Sequence, residues 1–173
     1  YEFYDGSRGV DDAENNPNPE EIINAFNEGL GFISYTGHGD INTFKTSGLN
    51  NSQLYKLSNF NQHPFLLSVA CNHGSFVDAT CISENLLNAS SNNQATGVIG
   101  MAGSSVLMAW APPMETQDEF VNLITKIDSS NSSVSTLGGL FYNSQLSMLE
   151  KYSLNRGDEV IQTWILFGDP TMT

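Results

Sequence analysis

The sequence predicts an α/β protein: an open three-layer α/β/α sandwich built on a mostly parallel sheet. Three observations carry that prediction. Short apolar runs alternate along the chain with stretches of helical periodicity. One run, PFLLSVA at residues 64–70, is apolar almost throughout, which suits a central parallel strand buried on both faces better than a half-wet hairpin. The length, 173 residues, is one domain's worth of chain and enough to bury a sizeable core.

The elements follow in order. Residues 5–20 are polar and turn-rich. Pro19 with Glu20 and Glu21 suits a first helical turn, with Asn18 as its N-cap. The helix is expected over Glu20–Asn27, with Ile22, Ile23, Ala25 and Phe26 as its apolar stripe, and Gly29 or Gly31 as its stop. GFISYT then reads as a short buried strand ending at Gly37. A short helix is expected over Asn50–Leu57, with Leu54 and Leu57 inward, followed by the strand at 64–70. Cys81–Ala89 reads as a helix, SSNNQ as a turn, and ATGVIGMAG (95–103) as a third buried strand. Pro112 and Pro113 lead a helix from Met114 to Ile127, and a Ser/Asn loop follows at 128–133. A long helix is expected over Val134–Tyr152, interrupted or strained at Gly138 and Gly139, and a last strand over Val160–Phe167.

Charge narrows the partners. Six Lys and Arg stand against 19 Asp and Glu, a formal net charge of -13. Such a surface repels nucleic acid and disfavours an anionic membrane, and it suits basic peptides or cations. No apolar run reaches the length of a transmembrane span. Cys71 and Cys81 do not make a disulfide framework. The chain opens without an initiator methionine or a signal-like region, and is expected to be a piece of a longer protein.

In an open parallel sheet, chemistry gathers at the C-terminal ends of the strands. Two segments there carry reactive side chains. His38 sits between Gly37 and Gly39 just past one predicted strand, and Cys71 follows another in SVACNHG. Each has a plain alternative, as a turn histidine and a core thiol. If their strands are neighbours, about 4.8 Å apart, the two side chains face one gap. A thiol and an imidazole so placed perform covalent acyl transfer, with the backbone N–H groups of Gly39 and Cys71 as oxyanion donors. The rival is a zinc site of Cys71, His73 and His38, whose separations match no common ligand pattern. His63 lies at the other end of the strand from Cys71. Cys81 is expected buried under its own helix or supporting the site, and a Cys71–Cys81 disulfide would block the nucleophile. Asp118 and Glu119 open one face of the helix after Pro113 and read as solvated surface.

YTGHGD, PFLLSVACNHGSF, SSVLMAWAPPMETQDEF, GGLFYNSQLSMLEKY and TWILFGDP together resemble the catalytic domain of the gingipain family, cysteine endopeptidases with a caspase-like fold. The resemblance runs from about Pro19 to Pro170 and is closest to the arginine-specific members. It implies that His38 is the catalytic histidine and Cys71 the nucleophile. It implies a cysteine endopeptidase cleaving after a basic P1 residue, through a thioester acyl-enzyme. By position, the specificity pocket it implies contains Thr36, Gly39, Asp40, Val69, Trp110 and Met114. Trp110 and Met114 suit a flat wall for an aliphatic stem. Asp40 departs from the family pattern, in which a small hydroxyl residue follows GHG, and the acidic partner of a P1 arginine would fall before Tyr1. Residues 1–19 are then an acidic linker or the end of an upstream subdomain, and 20–173 the C-terminal catalytic part of the peptidase domain. The resemblance further implies a cationic peptide or protein substrate, an upstream subdomain, a downstream immunoglobulin-like domain, and secretion or outer-surface attachment in a Gram-negative bacterium. The chemistry requires no cofactor; structural calcium, which family members bind, has Asp78, Glu84 and Asp169 as candidate ligands. Alternatives on the same fold are a sortase-like transpeptidase of a secretion system and an inactive surface or binding protein.

Overall fold

The computed structural model describes residues 1–4, 17–77, 79–126 and 135–173. Most of the predicted linker, the Ser/Asn loop with the expected start of the long helix at Val134, and Asp78 lie outside the described residues.

Helix α1 spans Pro19–Glu28. Asn18 caps it as expected: its side-chain oxygen accepts from the N–H groups of Glu20 and Glu21, and the Glu21 carboxylate accepts from the Asn18 N–H. Strand β1 is Phe32–Thr36. Three two-residue strands follow, β2 (Gly39–Asp40), β3 (Thr43–Phe44) and β4 (Leu49–Asn50), forming a small antiparallel sheet in the order β2-β3-β4. A 3-10 turn at Asn51–Lys56 turns Leu54 inward, and Leu57 just after it is also buried. Strand β5 is Phe65–Val69, and helix α2 is Ile82–Leu87. The predicted SSNNQ turn is a hairpin between β6 (Ser90–Ser91) and β7 (Gln94–Ala95), closed by Asn92 and Asn93 at positive φ. Strand β8 is Gly100–Ser104. Helix α3 is Ala111–Lys126 and helix α4 Leu137–Tyr152. Gly138 and Gly139 do not interrupt α4: they lie in its first turn, where the Thr136 hydroxyl accepts from the Gly139 N–H. Arg156, at φ 68°, breaks the helical path after α4. The predicted last strand is divided between a short helix α5 (Asp158–Thr163) and strand β9 (Trp164–Gly168). An apolar run that short fits either state, and here only its second half joins the sheet.

The main sheet runs β1-β5-β8-β9. β1, β5 and β8 are parallel, and β9 closes the row antiparallel to β8. Two cores explain the near-continuous apolar strand. On one face, Leu66 and Met101 pack with Ile23 and Phe26 of α1 and Ile82 and Leu86 of α2. On the other, Phe65, Leu67, Val69 and Ala102 pack with Phe120 of α3 and with Leu140, Phe141 and Met148 of α4. Consecutive residues of β5 thus feed opposite layers, and every one is buried. β1 is less buried than expected. Ser34 and Thr36 are exposed, and among the described residues β1 pairs only with β5.

Candidate active site

The sheet register brings the two reactive residues together. Thr36 is aligned with Val69 in the parallel β1/β5 pair, and the ladder continues one step as the Gly37 N–H donates to Val69 O (3.1 Å). His38 lies two residues beyond Thr36 and Cys71 two beyond Val69, so both leave the same end of neighbouring strands. The His38 carbonyl is held by two donors, the Lys45 N–H (3.0 Å) and the Tyr35 hydroxyl (2.8 Å). The exposed His38 ring meets the Trp110 ring edge-on, centroids 5.4 Å apart. Cys71 shares a small recess with Gly37, Val69, Met108, Ala109 and Trp110.

The loop that carries Cys71 is folded tightly onto the end of β8. Asn72 takes the left-handed conformation at φ 61°, which Asn tolerates better than most residues. Its N–H donates to Val106 O (3.0 Å), and the Gly74 N–H donates to Ser104 O (2.8 Å). A Cβ on Gly74 would lie 2.3 Å from Gly103 O, so this approach demands glycine. The same folding brings the loop after β8 over the thiol. The Met108 N–H donates to Cys71 Sγ (3.3 Å).

Gly39 closes the other side. A Cβ there would stand 2.5 Å from Cys71 O, 2.7 Å from His73 Nε2 and 2.9 Å from Ala70 Cβ. The Lys45-to-His38 bond makes 38/45 a hydrogen-bonded pair of the β2/β3 ladder, so 39/44 is the non-bonded pair that follows. The Gly39 N–H therefore points out of the small sheet, away from β3.

His73 belongs to the framework. It is fully buried, with Nδ1 2.8 Å from Ser68 Oγ and Nε2 3.0 Å from Thr43 O. The Thr43 carbonyl can only accept, so Nε2 carries the proton and Nδ1 accepts from Ser68. Both ring nitrogens are engaged by protein, which leaves neither for the zinc arrangement considered from the sequence. Burial pushes its pKa down to about 4, against the pull of its bond to Thr43 O and the nearby Asp40 charge. Cys81 is also fully buried, and burial raises its thiol pKa; both cysteines are free.

The candidate pocket residues separate. Thr36, His38, Trp110 and Met114 share one cavity of about 900 Å³, which Tyr1–Tyr4 also line. Val69 is buried in the core and reaches the recess beside Cys71. Asp40 lines neither space. Its carboxylate accepts from the Ile41 N–H (2.9 Å) and pairs with Lys45 (3.1 Å), which together hold its pKa below the ordinary value. The Glu84 carboxylate accepts from the Cys81 N–H at the start of α2, and Asp169 accepts from the Thr171 N–H and hydroxyl, capping the turn at Pro170. Asp118 is exposed, and Glu119 accepts from Asn122.

Two contributors were not singled out from the sequence. The Met108 N–H is a backbone group, and nothing in residue type signals it. Gln117, buried on α3, bonds to Ser34, Tyr35 and Thr36 of β1. A Gln seven residues after Trp110 on a helix over the sheet was the available signal.

The model of peptidase family C25 matches residues 2–173. The chain belongs to this family. Within family C25, it is 36% identical over 155 residues to gingipain R2 of Porphyromonas gingivalis, covering 89% of this chain and 21% of that protein. It is equally similar to gingipain R1 of the same species, covering 15% of it. The crystal structure of the Arg-specific cysteine proteinase gingipain R superposes with a TM-score of 0.85 at 36% identity, over 90% of this chain and 36% of that one. The chain thus spans only 15–21% of the length of these two relatives. The expected three-layer caspase-like fold is the one observed.

Proposed function

We propose that this chain supplies the reacting half of a cysteine endopeptidase that cleaves after a basic P1 residue. One observation supports the reading: the segments carrying His38 and Cys71 leave neighbouring parallel strands at the same register, and both residues adjoin Trp110. His38 takes the proton of the Cys71 thiol, and the sulfur attacks the carbonyl carbon of the scissile peptide. The Gly39 and Cys71 N–H groups receive the oxyanion, and the Met108 N–H holds charge on the sulfur before attack. As the tetrahedral species collapses, the C–N bond breaks and the imidazolium protonates the leaving amine. His38 then removes a proton from water, the hydroxide breaks the thioester C–S bond, and the thiol regains its proton. No step calls on a cofactor. Of the calcium ligands suggested by the family resemblance, Glu84 and Asp169 do not form a site: they accept from backbone N–H groups in separate elements, and among the described residues no group of three or more His, Cys, Asp or Glu is placed to hold an ion.

Basic P1 selection is supported by the name of the Arg-specific relative, the cavity walled by Trp110, Met114 and Thr36, and the charge of -13. The wider protein is proposed to hold an upstream subdomain that completes the pocket and a downstream immunoglobulin-like domain. Its substrate is a cationic peptide or protein. It is proposed to be secreted or surface-attached in a Gram-negative bacterium; among the described residues no helix is long and apolar enough to cross a membrane.

The test uses the full-length protein with peptides that differ only at P1. Cleavage is expected after Arg or Lys, releasing a free carboxylate, and Cys71→Ala or His38→Ala should abolish it. Turnover surviving in Cys71→Ala would overturn the mechanism. An amide-linked product in place of the acid would favour the transpeptidase, and cleavage without basic preference would defeat the pocket.

A further inference from the structure

The start of α3 and the end of β1 both contribute to the lining of the cavity. Trp110, Met114 and Gln117 follow the i, i+4, i+7 spacing of one helical face, and the Met114 N–H bonds back to Trp110 O (3.3 Å). Thr36, at the end of β1, lines the same cavity as Trp110 and Met114. Two kinds of contact join α3 to this part of the sheet. Phe120 lies near-parallel to Phe32 and Phe65, with centroids 5.5 and 5.3 Å away. Such faces attract strongly but tolerate sideways offset.

Gln117 is directional where the rings are not. Its Nε2 donates to Ser34 Oγ (2.9 Å) and to Tyr35 O (3.0 Å), and its Oε1 accepts from the Thr36 hydroxyl (2.7 Å). Because the Tyr35 carbonyl can only accept, the amide orientation is fixed. Three bonds to three consecutive residues of β1 would lengthen and bend together if α3 shifted relative to the strand, since hydrogen bonds weaken with distance and angle. The rings of Phe120 would still touch.

We propose that Gln117 is a positioning residue for P1 selection: it locks the Trp110–Met114 wall at a fixed distance from Thr36, and so sets the width of the slot that receives a basic side chain. The inference rests on the basic-P1 reading above and adds to it the residue that fixes the slot's dimension. Guanidinium and ammonium groups differ in width and hydrogen-bond geometry, so a slot of fixed width separates Arg from Lys, and a loose one does not.

The test compares the full-length protein with Gln117→Met, which keeps length and removes the bonds. The readouts are kcat and KM for peptides with Arg or Lys at P1, and the rate at which iodoacetamide alkylates Cys71. Iodoacetamide is small and does not use the slot. In the variant, KM for the preferred peptide should rise about tenfold, the low end of what an altered contact in a side-chain pocket costs, and the ratio between Arg and Lys should approach one. Alkylation should stay within about twofold of wild type. Unchanged KM and preference would overturn the inference, as would alkylation falling in step with KM, which marks general support. If Gln117→Met fails to fold, Ser34→Ala removes one bond from an exposed position; it should move KM in the same direction, and no movement overturns the inference. A wild-type enzyme with no basic preference defeats the reading it rests on, whereas a normal preference unchanged in the variants defeats this inference alone.

Discussion

His73 makes the protein acid-labile in a defined window. Its folded-state pKa of about 4 lies below the ordinary 6.5, because a buried imidazole bonded to Ser68 and Thr43 resists protonation. Above pH 6.5 the ring is neutral in folded and unfolded chains alike, and the arrangement stabilises fully. As pH falls from 6.5 to 4, the unfolded chain takes up a proton that the folded chain refuses, so stability drops. Below about 4 both states are protonated and this loss stops growing. At about 1.4 kcal/mol per unit of pKa difference, the total is about 3 kcal/mol, a large share of a typical domain's stability. The assay is urea unfolding at fixed ionic strength at several pH values from 7 to 4, on the protein and on His73→Gln. Carboxylates also lose stabilising interactions in this range, Asp40 among them, but they are common to both chains. The wild-type curve should therefore fall more steeply than the variant's, by about 1.4 kcal/mol per pH unit in mid-window. Parallel curves would show that His73 titrates as a solvated histidine, and the account of its burial would be wrong.

Two further outcomes follow from the geometry around the reacting pair. Gly39→Ala places a methyl against Cys71 O, His73 Nε2 and Ala70, and should cost about 1–3 kcal/mol in unfolding free energy while lowering kcat far more than it raises KM; an unchanged kcat would remove Gly39 from the oxyanion site. Asp40→Asn leaves Lys45 without its exposed carboxylate partner, so urea unfolding should move by less than about 1 kcal/mol. Its preference among P1 residues should stay as in wild type, and a lost preference for Arg or Lys would instead give Asp40 a direct role in the slot.

The main sheet was legible because β5 writes both layers into one nearly continuous apolar run. The placement of His38 and Cys71 beyond the same end of neighbouring strands was legible because each follows a strand, and parallel pairing then aligns the two strand ends. Other features depend on neighbours that sequence does not name. Val160–Thr163 carries too few residues to declare its period, and packing decides for helix. Asp40 looks like a substrate ligand until the tight β2–β3 hairpin sets Lys45 diagonally across from it, on the same face. The Met108 N–H has no residue-type signature; only the folding of one loop over another turns it toward sulfur.

The reversal of β9 has a consequence for how the protein is handled and assembled. Gly168 pairs with Gly100, the first residue of β8, whereas the site gathers beyond the last residues of β1 and β5. Strand β9 therefore ends at the pole opposite His38 and Cys71. A reporter, an affinity handle or a natural module joined after Thr173 would hang beneath the sheet, leaving the approach to Cys71 open to a bulky polypeptide.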